Sequence, residues 1–184
     1  MGDPKIHGWQ ALLQTLIING GINMNDRFPP VAKVGILAGH FLRELASAGG
    51  KPVCLAICDR HGILCHFERM DGAPARCVAI ACAKACTSAV MECSTSAFHA
   101  RLRDEKLEIG EFRDSRLTSI AGGVPLLVNG NSAGGIGVSG RKIEEDEELA
   151  SQFAQMLTQK LFSQATEPVK MSSDSKDATD PDKQ

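Results

Sequence analysis

The chain has 184 residues, 43% of them hydrophobic, which is enough for one domain with a substantial core. Its formal net charge is −2 and no run of Lys or Arg forms a basic stripe, so a nucleic-acid partner is not expected. No apolar run is long enough to span a bilayer, and the N-terminus lacks a secretory-signal pattern. Seven cysteines without such a signal favour a reducing compartment. These observations predict a cytoplasmic protein that binds neither nucleic acid nor membrane.

Apolar and polar patterning divides the chain into three parts. Residues 1–28 contain an amphipathic segment at helical spacing followed by a turn-rich linker, and residues 29–162 carry the predicted domain. Residues 163–184 are polar and acidic, which predicts a disordered tail. The N-terminal helix is expected to cap the core, and the alternative is a helix that docks on a partner protein.

The domain begins with a helix that Pro29 and Pro30 open and that Gly49 and Gly50 end. A β-hairpin follows, turning at 59–62, which would pair Cys58 with Ile63. Next come an Ala- and Cys-rich helix over about 74–93 and a mixed segment over 94–116, which predicts a short helix and a loop. Two or three short strands within 117–140 and a helix over 144–162 follow. Hairpins joined by helices, without alternating βαβ units, indicate the α+β class with an antiparallel sheet.

The stretch NGNSAGGIGVSGRK, at 129–142, has the glycine density of a phosphate-binding loop. It lacks the Gly-Lys-Ser/Thr of such a loop, and the letters GxGxxG at 135–140 have no βαβ unit around them. Ile136 and Val138 alternate with Gly135 and Gly137, which predicts a strand with one bare face. A helix or a flat ligand could approach that face closely.

The cysteines of the hairpin do not fit a zinc site. Cys54 and Cys58 are four residues apart on a strand, roughly 13 Å, which is too far for both to bind one ion. Cys82 and Cys86 fall on one face of the Ala-rich helix, where reduced cysteines pack as small apolar residues. No CxxCH or CxxCxxC motif is present.

Several sequence blocks resemble the GlcG / HbpS / PduO C-terminal-domain family, often described as haem-binding or haem-degrading. The blocks are RMDGA at 69–73, GGVPL at 122–126 and GGIGVSG at 134–140, together with Asp59, Gly62, Lys84, Ala85, Thr87, Thr95, Gly130 and Asp146. The resemblance covers about residues 30–155.

The resemblance implies a profilin-like fold, a three-layer α/β/α arrangement with an antiparallel sheet of about five strands. It also implies a homo-oligomer, a dimer or higher. Relatives are linked to haem, to corrinoid adenosyltransferases and to diol- or glycolate-utilising enzymes, some of them inside bacterial microcompartments. An accessory role in a small-molecule catabolic pathway is therefore expected, with haem or a corrinoid as the candidate cofactor.

The first functional hypothesis is a small-ligand-binding module with its pocket at a subunit interface. Arg69 and Lys84 would meet ligand carboxylates, and a flat ring would lie on the strand that carries Gly135, Gly137 and Ser139. The candidate metal ligands are His40, His66 and His99.

The alternative hypothesis is an enzyme, a cofactor-independent or metal-assisted lyase or isomerase acting on a small carboxylated or hydroxylated substrate. Arg69 would bind the substrate carboxylate, and Asp71 or Lys84 would move a proton. Purely structural roles for these three side chains are equally compatible with the sequence, which leaves the question of catalysis open.

Overall fold

The computed structural model describes residues 28–162, so the predicted N-terminal helix and acidic tail lie outside the described residues. The helices are α1 (Val31–Ala48), α2 (Arg76–Met91), α3 (Thr95–Glu105) and α4 (Ile143–Phe162), with a 3-10 helix at Ile109–Phe112. The strands are β1 (Cys54–Asp59), β2 (Leu64–Arg69), β3 (Gly123–Val128) and β4 (Asn131–Ser139).

The four strands form one antiparallel sheet in the order β2-β1-β4-β3. The predicted α+β class and antiparallel sheet are therefore confirmed, with four strands in the described part of the chain where about five were expected. The difference arises in 117–140, where residues 117–122 form a loop and only β3 and β4 are strands.

Two cores, one on each face of the sheet, create the three layers. On one face, α1 and α4 pack against β1, β3 and β4 through large aliphatic and aromatic side chains, among them Phe41 and Phe153, whose ring centroids are 5.2 Å apart. On the other face, the buried apolar residues between α2 and β1 are alanines and cysteines. The second interface is therefore the closer one, because small side chains let the helix approach the strands.

The ends of α1 follow the predicted signals. Pro30 precedes its first residue, and Gly49 follows its last with φ of 82°, a left-handed conformation that glycine adopts without steric cost. Val31, the first residue of α1, is 46% exposed, whereas Val34 and Ala38 are fully buried.

The β1–β2 hairpin differs from the predicted register by one residue at Cys58 and by two residues from Ile57 to Cys54. The carboxylate of Asp59 accepts the N–H groups of His61 and Ile63, and the Asp59 N–H donates to the Ile63 carbonyl at 2.9 Å. The turn therefore closes between Asp59 and Ile63, and Cys58 pairs with Leu64. A bulge at Cys65 shifts the register by one further residue, so that Ile57 pairs with His66.

The bare face of the glycine-rich strand is filled by helix α2. A Cβ atom on Gly137 would lie 2.5 Å from the backbone nitrogen of Ala85 and would also collide with the Ala81 carbonyl. One on Gly135 would lie 2.5 Å from the backbone nitrogen of Ala89. The sequence left open whether a helix or a flat ligand covers this glycine face, and in the structure it is helix α2.

Within residues 28–162, no single helix is long and apolar enough to cross a membrane, and only the bent pair α2–α3 passes the test of length and composition.

Candidate functional site

The residues that the sequence singled out fall in three separate places. Lys84, Gly135, Gly137 and Ser139 lie in the interior between the sheet and the helices. Arg69 and Asp71 line a groove between α1 and β2, with His40 and His66 on the same two elements. His99 lines a cleft beside α3.

Lys84 is an interior ion-pair partner. Only 1% of it is exposed, and its Nζ atom donates to the Val138 carbonyl at 2.8 Å and to Asp146 Oδ2 at 2.9 Å. The other carboxylate oxygen of Asp146 accepts the Arg141 N–H. The pair thus joins α2, β4 and α4, and the Lys84 ammonium faces protein groups that already satisfy it.

Ser139 and the two strand glycines are equally enclosed. Ser139 is 5% exposed and lies opposite Cys54 in the sheet register. Because α2 covers Gly135 and Gly137, a ligand could reach this strand only if the helix moved away.

Arg69 and Asp71 line the groove between α1 and β2, a cavity of about 290 Å³ that also includes Arg43 and Glu68. The Nε atom of Arg69 donates to the Ala73 carbonyl at 2.9 Å, and its Nη2 atom donates to the same oxygen. Arg69 therefore fastens the end of β2 to the turn that leads into α2. Asp71 is exposed on that turn.

The two histidines on this side differ in accessibility. The His66 ring lies under α1, where a Cβ on Gly35 would be 3.1 Å from its Cε1 atom. Its Nε2 atom is buried without a hydrogen bond, 3.5 Å from Glu68 Oε2. The His40 side chain is 56% exposed, with its Nε2 atom 3.3 Å from Glu44 Oε1.

The α3 cleft combines a histidine, two cations and an apolar floor. It measures about 470 Å³, and we define it by His99, Leu102, Arg103, Lys106, Leu107, Glu108, Ile109 and Ser119. His99, Arg103 and Lys106 are spaced by four and three residues, which places them on one side of the helical turns. Leu102 is buried, and Leu107 and Ile109 are half-buried.

The cations of the cleft have no protein partner among residues 28–162. Arg101, on the same helix, is held by Glu105 at 3.0 Å, whereas Arg103 and Lys106 make no side-chain hydrogen bond or ion pair in that range. The carboxylate of Glu108 accepts a backbone N–H in the capping box of the 3-10 helix. The cleft therefore carries an excess of positive charge that an anion could neutralise.

Local interactions hold both walls of the cleft. The Ser94 hydroxyl caps the start of α3 by accepting the Ala97 N–H at 3.1 Å. At the other end, Lys106 adopts a left-handed conformation and its N–H bonds back to the carbonyls of the last turn. Phe98 is fully buried and meets Phe112 edge to face, with centroids 5.3 Å apart, which fixes α3 against the 3-10 helix.

No cluster of metal-ligating side chains replaces the rejected cysteine site. Among residues 28–162, no group of three or more His, Cys, Asp and Glu residues could hold a metal ion. Burial, together with neighbouring thiols, raises the pKa of Cys58 to about 12 and that of Cys54 to about 11. At neutral pH both are thiols, which are poor metal ligands and poor nucleophiles.

The model of the family described as "Haem degrading protein HbpS-like" matches residues 35–155, which is most of the described domain. The chain belongs to the HbpS-like family. The suspected family is therefore confirmed. No curated protein sequence matches the chain significantly.

Solved structures agree with this membership. A double mutant of Streptomyces reticuli HbpS is 27% identical, with a TM-score of 0.63, and the match covers 76% of this chain and 93% of that one. Klebsiella pneumoniae protein ORFY is 23% identical, with a TM-score of 0.63 and coverage of 77% and 99%. PduOC, solved as a haem complex, is 22% identical, with a TM-score of 0.56 and coverage of 74% and 94%. The last two similarities concern the fold alone.

Arg103 and Lys106 were not among the residues singled out from the sequence. The signal was present in the spacing His-x-x-x-Arg-x-x-Lys, which aligns the three side chains once the segment is helical. The segment over 94–116 has mixed polarity because α3 packs mainly through Phe98 and Leu102, so its helical period is weak.

Proposed function

We propose that this HbpS-like protein is a haem-binding module and that the α3 cleft holds the haem, with His99 as the axial ligand. The observation that carries the proposal is that one cavity is lined by His99, by apolar side chains and by two cations that have no partner among residues 28–162. His40 and His66 do not line the groove that holds Arg43 and Arg69.

These residues match the chemistry of the haem group. The porphyrin supplies four nitrogens to its iron, so a protein needs only an axial donor, and imidazole is a common one. The guanidinium of Arg103 and the ammonium of Lys106 suit the two propionates. Leu102, Leu107 and Ile109 offer an apolar surface for the ring.

The size of the cleft supports a partly exposed ligand. About 470 Å³ lies within the usual range of small-molecule sites, but the cleft is open on one side. A haem there would keep part of its ring in solvent unless a second copy of the chain covered it.

A haem titration of the full chain tests the proposal. We expect a saturable Soret shift with one haem per chain, and a loss of about tenfold or more in affinity for His99→Ala. His40→Ala and His66→Ala serve as matched controls and should bind haem as the parent does. Equal affinity in His99→Ala and the parent would contradict the assignment of the ligand, and a linear, unsaturable titration would contradict haem binding itself.

We also propose that the chain self-associates, as the family resemblance implies. Ile36 is 71% exposed and Val31 is 46% exposed on α1, and Leu64 is 48% exposed on the edge strand β2. Covering such side chains removes apolar surface from water. Native mass spectrometry should show a dimer or larger species, and Ile36→Glu should shift it toward the monomer. A parent protein that is monomeric at micromolar concentration would refute this proposal.

A corrinoid ligand, a role in small-molecule catabolism and a place in a microcompartment stay predictions from the resemblance. The lyase or isomerase alternative gains no specific support, because Arg69 is bonded to Ala73 and Lys84 to Asp146.

A further inference from the structure

Exposed apolar side chains gather at the end of the domain where the β1–β2 hairpin turns. Ile63 lies in the turn and is 56% exposed, and Leu64, the first residue of β2, is exposed beside it. Val31, the first residue of α1, is also exposed. We call these three side chains the end patch. Single exposed apolar residues are ordinary on a protein surface, but a group of them marks a surface that another segment or molecule covers.

The contacts of α1 bring Val31 to the hairpin. A Cβ on Gly35 would lie 3.1 Å from His66, and one on Gly39 would lie 3.6 Å from Glu68, so α1 runs along β2 in the direction of the strand. Four residues of helix advance about 6 Å, which is about the length of two residues of strand. Val31, one helical turn before the first of these contacts, therefore lies beside the first residues of β2.

Phe28, the first described residue, lies at the same end of the sheet. Its Cδ2 atom is 3.3 Å from the position of a Cβ on Gly134. Gly134 pairs with Asp59, whose N–H donates to the Ile63 carbonyl at 2.9 Å. Phe28 is half-buried and packs against the larger core. The chain therefore enters the domain next to the end patch, and residues 1–27 are tethered there.

The tethered residues have the composition to cover the patch. Within 6–17, six large apolar residues follow helical spacing: Ile6, Trp9, Leu12, Leu13, Leu16 and Ile17. The connecting stretch 18–27 can extend over about 30 Å, which is ample to return the apolar segment to the end of the domain. A tether this short also holds the segment beside the patch at a high effective concentration.

We infer that residues 6–17 pack through their apolar side on the end patch of their own domain. Packing there removes apolar surface from water on both the segment and the patch. Ile36 takes no part, because it is five residues after Val31 on α1 and therefore lies about 140° around the helix axis. The side of α1 that carries Ile36 stays available for the self-association proposed above.

Trp9 reports this packing in the full-length protein, because it is the single tryptophan of a chain without tyrosine. We expect its emission to be shifted to the blue, and acrylamide to quench it several-fold less than it quenches N-acetyltryptophanamide. Ile63→Lys should move both values toward those of the free amide. Ile143→Lys is the matched control and should change neither, because Ile143 is 51% exposed but follows the opposite end of β4 from Gly134.

Val31→Glu tests the same surface without altering the hairpin turn, and the first turn of a helix tolerates an acidic residue well. We expect the exposure of Trp9 that Ile63→Lys produces, with the circular dichroism of the parent. Emission and quenching in the parent that match the free amide would overturn the inference, since the segment would then be available to another partner. Protection of Trp9 that survives both substitutions would place the segment elsewhere. Protection that is lost on dilution would show that the segment packs on a second copy of the chain.

Discussion

Substituting Gly137 by alanine should destabilise the domain by about 3 kcal/mol or more. The added Cβ would lie 2.5 Å from the Ala85 nitrogen and would also collide with the Ala81 carbonyl, and both are backbone atoms that no side-chain rotation can move. Overpacking usually costs about 1–3 kcal/mol when side chains can adjust. Here α2 must move away from β4 as a whole, which loosens the Ala- and Cys-lined core along the helix, so the cost lies at or above the top of that range.

Urea unfolding followed by far-ultraviolet circular dichroism measures this effect. A loss of about 3 kcal/mol corresponds to a fall in melting temperature of roughly 10 °C for a domain of this size. Gly110→Ala is the matched control, because a Cβ there meets no atom within 4 Å, and it should change the free energy of unfolding by less than about 0.5 kcal/mol. If Gly137→Ala unfolded at the same urea concentration as the parent, the close contact between α2 and β4 would be refuted.

Two further predictions concern buried ionisable groups. Lys84→Met should lower the free energy of unfolding by about 3–5 kcal/mol, because it leaves the Asp146 carboxylate buried without its cation. Adding Asp146→Asn should restore part of that loss. A double variant that is no more stable in urea than Lys84→Met would contradict this prediction. The thiol of Cys58, with its pKa raised to about 12, stays protonated in the fold but ionises in the unfolded chain above its ordinary value of 9.0. The stabilisation that comes from keeping this thiol protonated is therefore complete below about pH 9 and is lost as the pH rises toward about 12. In urea titrations, Cys58→Ala should lose less stability at alkaline pH than the parent does. An equal loss in the two proteins would count against a buried thiol at this position.

Features with a local cause were predictable from the sequence. Pro30 and Gly49 delimit α1 because proline suits a first turn and glycine adopts the left-handed conformation at the end. The alternation of Gly135 and Gly137 with large apolar residues predicted a strand with a bare face, since side chains alternate between the faces of a sheet.

Features that depend on distant residues were not predictable in the same way. Lys84 pairs with Asp146 from another helix, and no periodicity links the two positions. The occupant of the glycine face depended on how α2 docks, which the strand itself does not encode. The cations of the α3 cleft were not singled out because the sequence did not show that His99, Arg103 and Lys106 would line one cavity with residues 107–109.

The strand order has a consequence for how the domain folds. β1 and β2 form one hairpin, β3 and β4 form another, and the two hairpins meet only where β1 pairs with β4. The pairing of β1 with β4 joins chain segments that are separated by α2 and α3. Forming this pairing therefore costs a large loop-closure entropy and is expected to limit the folding rate. Each hairpin alone is too small to be stable in water, so the two halves should fold and unfold together in one cooperative step.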